Sequence, residues 1–183
     1  DPFALRRAAI GVLRIITELS LPLDLNTLVA KAAEVYGDKL SNQDAQSQVV
    51  DFVLGRFTAL LQDQSIAIDV IQAVAARRPT MPADYLARVN AVAAFKALDE
   101  SEALAAANKR VANILAKQNV AEVNEVNISV DLLTEDAEKA LYTSLEAAQK
   151  QVNEALVSQD YQRILTTLAT LREVIDAFFD NVM

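Results

Sequence analysis

The chain has 183 residues, 17 Lys and Arg against 25 Asp and Glu, a formal net charge of −8, and neither Cys nor His. Disulfides, thiolate nucleophiles and zinc–cysteine sites are thereby excluded, and the commonest general base and metal ligand is missing. No apolar run approaches the roughly 18 residues a membrane span requires, and with only 3 Gly and 4 Pro in an Ala- and aliphatic-rich chain the expected fold is all-α, a bundle of about eight helices in two subdomains.

Over residues 1 to 20 Arg alternates with apolar residues as in an amphipathic helix rather than a secretory signal, so a cytoplasmic chain is expected. Pro2 suits the first helical position after Asp1, and Leu5, Ala9, Val12, Leu13 and Ile16 form the stripe to be buried, with Arg6, Arg7 and Arg14 on its polar flank. The helix should end before Pro22. Asp24 reads as the cap of a second helix carrying Leu25, Leu28, Val29, Ala32 and Tyr36, stopped by Gly37. A third, from about Asn42, presents Val49, Val50, Val53, Phe57, Leu60 and Leu61; Gly55 within it implies close helix packing, since Gly there costs about 1 kcal/mol relative to Ala. Ser65 is positioned to cap a short fourth helix with Ile66, Val70, Ile71 and Val74.

Arg77-Arg-Pro-Thr-Met-Pro82 is the clearest punctuation, because each proline disfavours helix at the residue before it, and an internal boundary is expected here. Pro82 opens a fifth helix with Leu86, Val89, Ala93 and Phe95. Asp99, with Glu102 three residues on, marks the start of a sixth. In it Leu104, Ala107, Val111, Ile114 and Leu115 share one side while Lys109, Arg110, Asn113 and Lys117 share an arc opposite. Periodicity fails over residues 118 to 133, where Asn119, Asn124 and Asn127 interleave with Val and Ile, so a loop is expected with residues 127 to 133 extended. Thr134 should cap a long seventh helix, acidic at its start, that buries Leu141, Leu145, Ala148, Val152 and Leu156. An eighth follows Asp160 with Leu165, Leu168, Leu171, Ile175, Phe179 and Val182.

Charge is unevenly spread. Residues 1 to 65 hold six cations and eight anions, residues 66 to 120 seven and five, and residues 121 to 183 four and twelve. An acidic chain with one basic stripe suits a defined contact with a polyanion rather than a general coating of it, since each neutralised phosphate adds affinity locally. Most Lys/Arg clusters are solvated faces, and spacing alone does not set this one apart. Arg77, Arg78 and Arg88 suit phosphate contact or simply bracket a linker. Phe178 and Phe179 could stack on bases, but they fall in the apolar arc of Leu168, Leu171 and Ile175, which favours core packing. The Asp136 and Glu138 pair lies on a capped helix start with no second acidic cluster, and three scattered glycines build no phosphate loop, so no catalytic residue and no metal site are expected.

Five stretches, Asp1-Pro-Phe-Ala-Leu-Arg-Arg-Ala-Ala, Gly11-Val-Leu-Arg-Ile, Ala75-Ala-Arg-Arg-Pro79, Leu104-Ala-Ala-Ala-Asn-Lys-Arg-Val-Ala-Asn-Ile-Leu115 and Asp176-Ala-Phe-Phe-Asp-Asn-Val-Met183, resemble in order the C-terminal part of the beta subunit of bacterial glycyl-tRNA synthetase. The resemblance implies a chain of a heterotetrameric glycine–tRNA ligase in which a separate alpha subunit performs ATP- and Mg-dependent glycine activation, with no cofactor held here. It implies that residues 1–78 belong to the body of the subunit and residues 79–183 to a DALR-type anticodon-binding domain. Glycine tRNA, the alpha subunit and the rest of the beta subunit are the partners so implied, with Arg77, Arg78, Arg88, Lys109, Arg110, Asn113 and Lys117 as candidate tRNA contacts.

Two departures matter. Val174 stands where the family usually has Pro after Leu-Arg-Glu, which should straighten the last helix. The family continues past Asp-Asn-Val-Met with another helix, so a domain truncated at Met183 is expected to leave Phe178, Phe179, Val182 and Met183 uncovered. Two readings follow: an RNA-binding module in which Lys109, Arg110 and Lys117 meet phosphate and Asn113 a base edge, or a helical scaffold that binds protein partners through its acidic third.

Overall fold

The computed structural model describes residues 2 to 117 and 128 to 182. Among them there are nine α-helices and no strand: α1 (Pro2–Glu18), α2 (Leu25–Tyr36), α3 (Ala45–Asp63), α4 (Ile68–Ala75), α5 (Pro82–Lys96), α6 (Glu100–Lys117), α7 (Asp136–Val157), α8 (Tyr161–Ala169) and α9 (Arg172–Asn181). The all-α expectation holds. The expected eighth helix is two, because Thr170 and Leu171 donate their amides to the carbonyls of Thr167 and Leu168, three residues back, and the Thr170 hydroxyl donates to Thr167 O at 2.7 Å. These tighter bonds end one helix and start the next, four residues before Val174.

The chain divides into two compact units, Asp1–Ala93 and Ala94–Met183. The division falls inside α5, after the proline punctuation, for a packing reason. Tyr85 and Val89 in the first part of α5 are buried in the first unit's core, whereas Phe95 lines an apolar cavity of the second.

In the first unit, Leu13 and Ile16 of α1, Leu25 of α2, Phe57 and Leu61 of α3, Ile71 of α4 and Val89 of α5 are almost completely enclosed. Tyr85 meets Phe57 edge-on, with ring centroids 5.1 Å apart and planes at 90°, a favourable quadrupolar arrangement. The α1 stripe is narrower than expected: Ala9, Leu13 and Ile16 are buried, but Leu5 and Val12 are exposed, being turned toward the Leu19 side of the helix. Tyr36 and Val49 are also exposed. Asp24 caps α2 by accepting from Thr27 N at 2.9 Å, and it also accepts from the Thr80 hydroxyl, while Leu25 N donates to Thr80 O at 2.9 Å. One carboxylate thus fixes a helix start and the loop before Pro82. Hydrogen bonds from Thr80 and then Thr27 hold its pKa below the ordinary value near 3.8. Gly37 ends α2 with φ at 53°, where Gly carries no penalty.

Two expectations fail here. Ser65 does not cap α4: it adopts a positive φ of 64°, and the helix begins later, after Ala67. Gly55 serves no close packing, since a Cβ built on it meets nothing within 4 Å.

In the second unit the fully buried side chains are mostly small: Ala148 and Ala155 of α7, Thr167 and Ala169 of α8, with Leu171 and Phe179 at α9. Leu145 and Leu156, expected inside, are exposed, and α6 has no fully buried residue. Between the helices lies a half-open apolar cavity of about 580 Å³ lined by Leu104, Val111, Leu141, Leu168, Phe178 and their neighbours. The start of α7 is shifted by one residue from Thr134: Glu138 Oε2 accepts from both Thr134 N and Glu135 N, at 2.9 and 3.0 Å, and Glu135 is the cap. Val130–Leu132 form one 3-10 turn, so the stretch expected to be extended is bent there. Asn119, Asn124 and Asn127, like Asp1 and Met183, lie outside the described residues.

Candidate nucleic-acid interface

An 18-residue helix with Glu100 and Glu102 in its first turn and Lys117 in its last is matched in sign to its own dipole. That helix, α6, brings four of the seven candidate residues together. Lys109, Arg110, Asn113 and Lys117, with Ala106 and Ile114, line one surface depression of about 490 Å³. All four polar side chains are exposed, and among the described residues none of them has a hydrogen bond or ion pair. Their charge is therefore uncompensated locally, the state that a polyanion partner would relieve.

Arg110 departs from the expected placement. It lies at the edge of the polar arc, one turn before Ile114, and its guanidinium carbon sits 3.9 Å from the centroid of the Phe179 ring. The expectation that Phe179 would be uncovered at the end of the chain is thereby overturned: Phe179 is 9% exposed, with Arg110 over one face and Phe178 edge-on at 5.7 Å. Phe178 is half-buried and Val182 partly so. The expectation that core packing claims these rings holds for Phe179, and α9 packs on both α6 and α7.

The other three candidates belong to the first unit and are occupied differently. Arg78 takes a positive φ of 46° and pairs with Asp51 at 2.7 Å, with both groups open to solvent. Arg88 pairs with Asp84 one turn earlier, at 2.7 Å from Nε. Each has a local carboxylate that satisfies it, the ordinary role of a surface ion pair. Arg77 is exposed beside them. Spacing on one helix revealed the α6 cluster; the Arg110–Phe179 stack joins residues on different helices, and no sequence period links them.

Among the described residues no group of three or more carboxylates is placed to hold a metal ion, and no helix is long and apolar enough to cross a membrane. The Tyr142 hydroxyl donates to Glu146 at 2.8 Å, and its pKa is raised by that bond and then by desolvation and the nearby charge; this is an exposed pair one turn apart on α7.

Comparison with known proteins bears on the same residues. A family model described as the glycyl-tRNA synthetase beta subunit matches residues 1–76, and one described as a DALR anticodon binding domain matches residues 104–183. The second span contains the whole α6 cluster and Phe179, while Arg77, Arg78 and Arg88 fall between the two. A glycine–tRNA ligase beta subunit of Alteromonas mediterranea is 78% identical over 183 residues, covering 100% of this chain and 26% of the relative. Those of Haemophilus influenzae and Pseudoalteromonas atlantica are 57% and 58% identical, again over 100% of this chain and 26% of their own lengths. The chain thus spans about a quarter of the length of these relatives and corresponds to their C-terminal part. With both family models matched in chain order and these relatives aligned over its whole length, the chain is similar throughout to the C-terminal part of glycyl-tRNA synthetase beta subunits.

Proposed function

We propose that this chain is the tRNA-binding, anticodon-reading module of a glycine–tRNA ligase beta subunit, with residues 79–183 as the anticodon-binding domain and residues 1–78 as part of the subunit body. It supplies position, not bond-making chemistry. The resemblance to glycyl-tRNA synthetase beta subunits supports leaving the ATP- and Mg-dependent activation of glycine to a separate alpha subunit, in the cytoplasm. The carrying observation is that Lys109, Arg110, Asn113 and Lys117, none with a hydrogen bond or ion pair among the described residues, line one depression within the span matching an anticodon-binding domain. Two lysines and an arginine on one face provide phosphate affinity that depends on salt, and an amide among them can both donate to and accept from a base edge.

The test is a titration of the assembled ligase, full-length beta with alpha, against glycine tRNA and against the same tRNA with altered anticodon bases, at two salt concentrations. Weaker binding of the altered tRNA, and a loss of affinity with salt that shrinks when Lys109 and Lys117 are neutralised, is expected. Binding indifferent to the anticodon and to those lysines would leave the chain as a scaffold for protein partners.

A further inference from the structure

Resting on the tRNA-binding reading, we propose that the α6 face takes an unpaired nucleobase stacked on the outer face of the Arg110 guanidinium, with Phe179 as the positioning residue behind it. A solvated arginine explores many rotamers and meets phosphate as easily as anything flat. Arg110 is different because the Phe179 ring lies 3.9 Å behind it, and Phe179 is itself 9% exposed and held by its packing in the second unit. Stacking fixes the guanidinium, so much of the side-chain entropy that ligand binding would cost has already been lost.

Arg110 is exposed and has no carboxylate partner among the described residues, so its guanidinium is within reach of a ligand from solvent. The depression beside it offers both apolar and polar surface: Ala106 and Ile114 line it together with Lys109, Asn113 and Lys117. A bare phosphate gains nothing from Ala and Ile. A base gains from both, since guanidinium planes and aliphatic groups are good stacking surfaces. Asn113, three residues after Arg110 on the same helix face, is placed to meet the base edge, and the lysines to meet the flanking phosphates. The ligand class is therefore a splayed-out base of single-stranded RNA, and one loop nucleotide contributes its ring, not only its charge.

Abasic nucleotides separate ring from charge. The assembled full-length ligase is titrated with glycine tRNA carrying a single abasic site at each anticodon-loop position in turn, using the parent, Arg110→Lys and Phe179→Leu. In the parent, one position should lose about 5- to 150-fold in affinity when the base is removed, the range for one stacked base. In Arg110→Lys, which keeps the charge but not the plane, that penalty should fall to within about threefold of none while the salt slope changes by less than about half a unit. Phe179→Leu, which keeps an apolar side chain but releases Arg110, should show the same split. Arg110→Lys changes an exposed side chain and keeps a cation beside Phe179, so the test stands even if Phe179→Leu destabilises the unit. An equal abasic penalty in parent and Arg110→Lys, with Lys109→Gln still weakening binding, would overturn the stacking role alone. If Lys109→Gln and Lys117→Gln also bind tRNA like the parent, the RNA-binding reading falls with it.

Discussion

The guanidinium of Arg110 covers the ring of Phe179 at 3.9 Å, and this contact ties the polar face of α6 to the buried side of α9. Arg110 thus has a structural contact besides the binding role proposed for it, whereas Lys109 has no partner among the described residues and only the proposed binding role. Lys109→Glu should leave thermal stability within about 0.5 kcal/mol of the parent. Arg110→Glu should lower it by about 0.5–1 kcal/mol, the usual worth of a cation–π contact near solvent. Denaturant unfolding of the two variants checks this, and equal stability would mean the stack contributes nothing.

The first unit is the better packed, so equivalent truncations should differ between units. Phe57→Ala removes a ring that is 1% exposed and edge-on to Tyr85, and should cost about 3–5 kcal/mol. Leu156→Ala, at a side chain 51% exposed on α7, should cost less than about 1 kcal/mol. Comparable losses at both positions in chemical unfolding would contradict the burial pattern.

Gly55 lies in the interior of α3 with open space where a Cβ would stand. Gly55→Ala should therefore stabilise by about 0.5–1 kcal/mol, by lowering backbone entropy in the unfolded chain and adding helix propensity. A raised melting temperature is the expected reading; a lowered one would show that the position is needed for a contact.

Asp24 gives the first unit an acid-sensitive joint. Its folded pKa lies below the ordinary 3.8, because Thr80 and Thr27 donate to the carboxylate. A depressed carboxylate contributes stability that is fully present above the unfolded value and is lost as pH falls through the folded one. Stability of the parent should therefore decline as pH drops below about 3.8, and Thr80→Val should shrink the Asp24 share of that decline. Asp24→Ala, which also removes the α2 cap, should cost about 0.5–2 kcal/mol at neutral pH. Acid titration of unfolding free energy for the three proteins checks the assignment, and identical acid limbs would refute it.

What the sequence made legible follows from range. Asp24, Gly37 and Pro82 set helix ends through bonds and dihedrals within a few residues, so their composition signals were sufficient. Ser65 misled because its own backbone adopts a positive φ that a cap residue does not have, and Thr170 hid a helix break inside an unbroken apolar pattern. Leu145 and Leu156 have the spacing of a buried face, yet burial depends on what packs against the helix, and on α7 it is Ala148 and Ala155 that are buried. The polar arc of α6 was readable from one helix period. Its link to Phe179 was not, because tertiary packing brings those two residues together.

The central claim is that the α6 face contacts RNA, and the salt dependence of tRNA binding tests it most directly. With the assembled full-length ligase and glycine tRNA, the slope of log affinity against log salt should become shallower by about one for each of Lys109→Gln and Lys117→Gln, and by about two for the pair. A parental slope in the double variant, with parental affinity at every salt concentration, would contradict the assignment of this face to RNA.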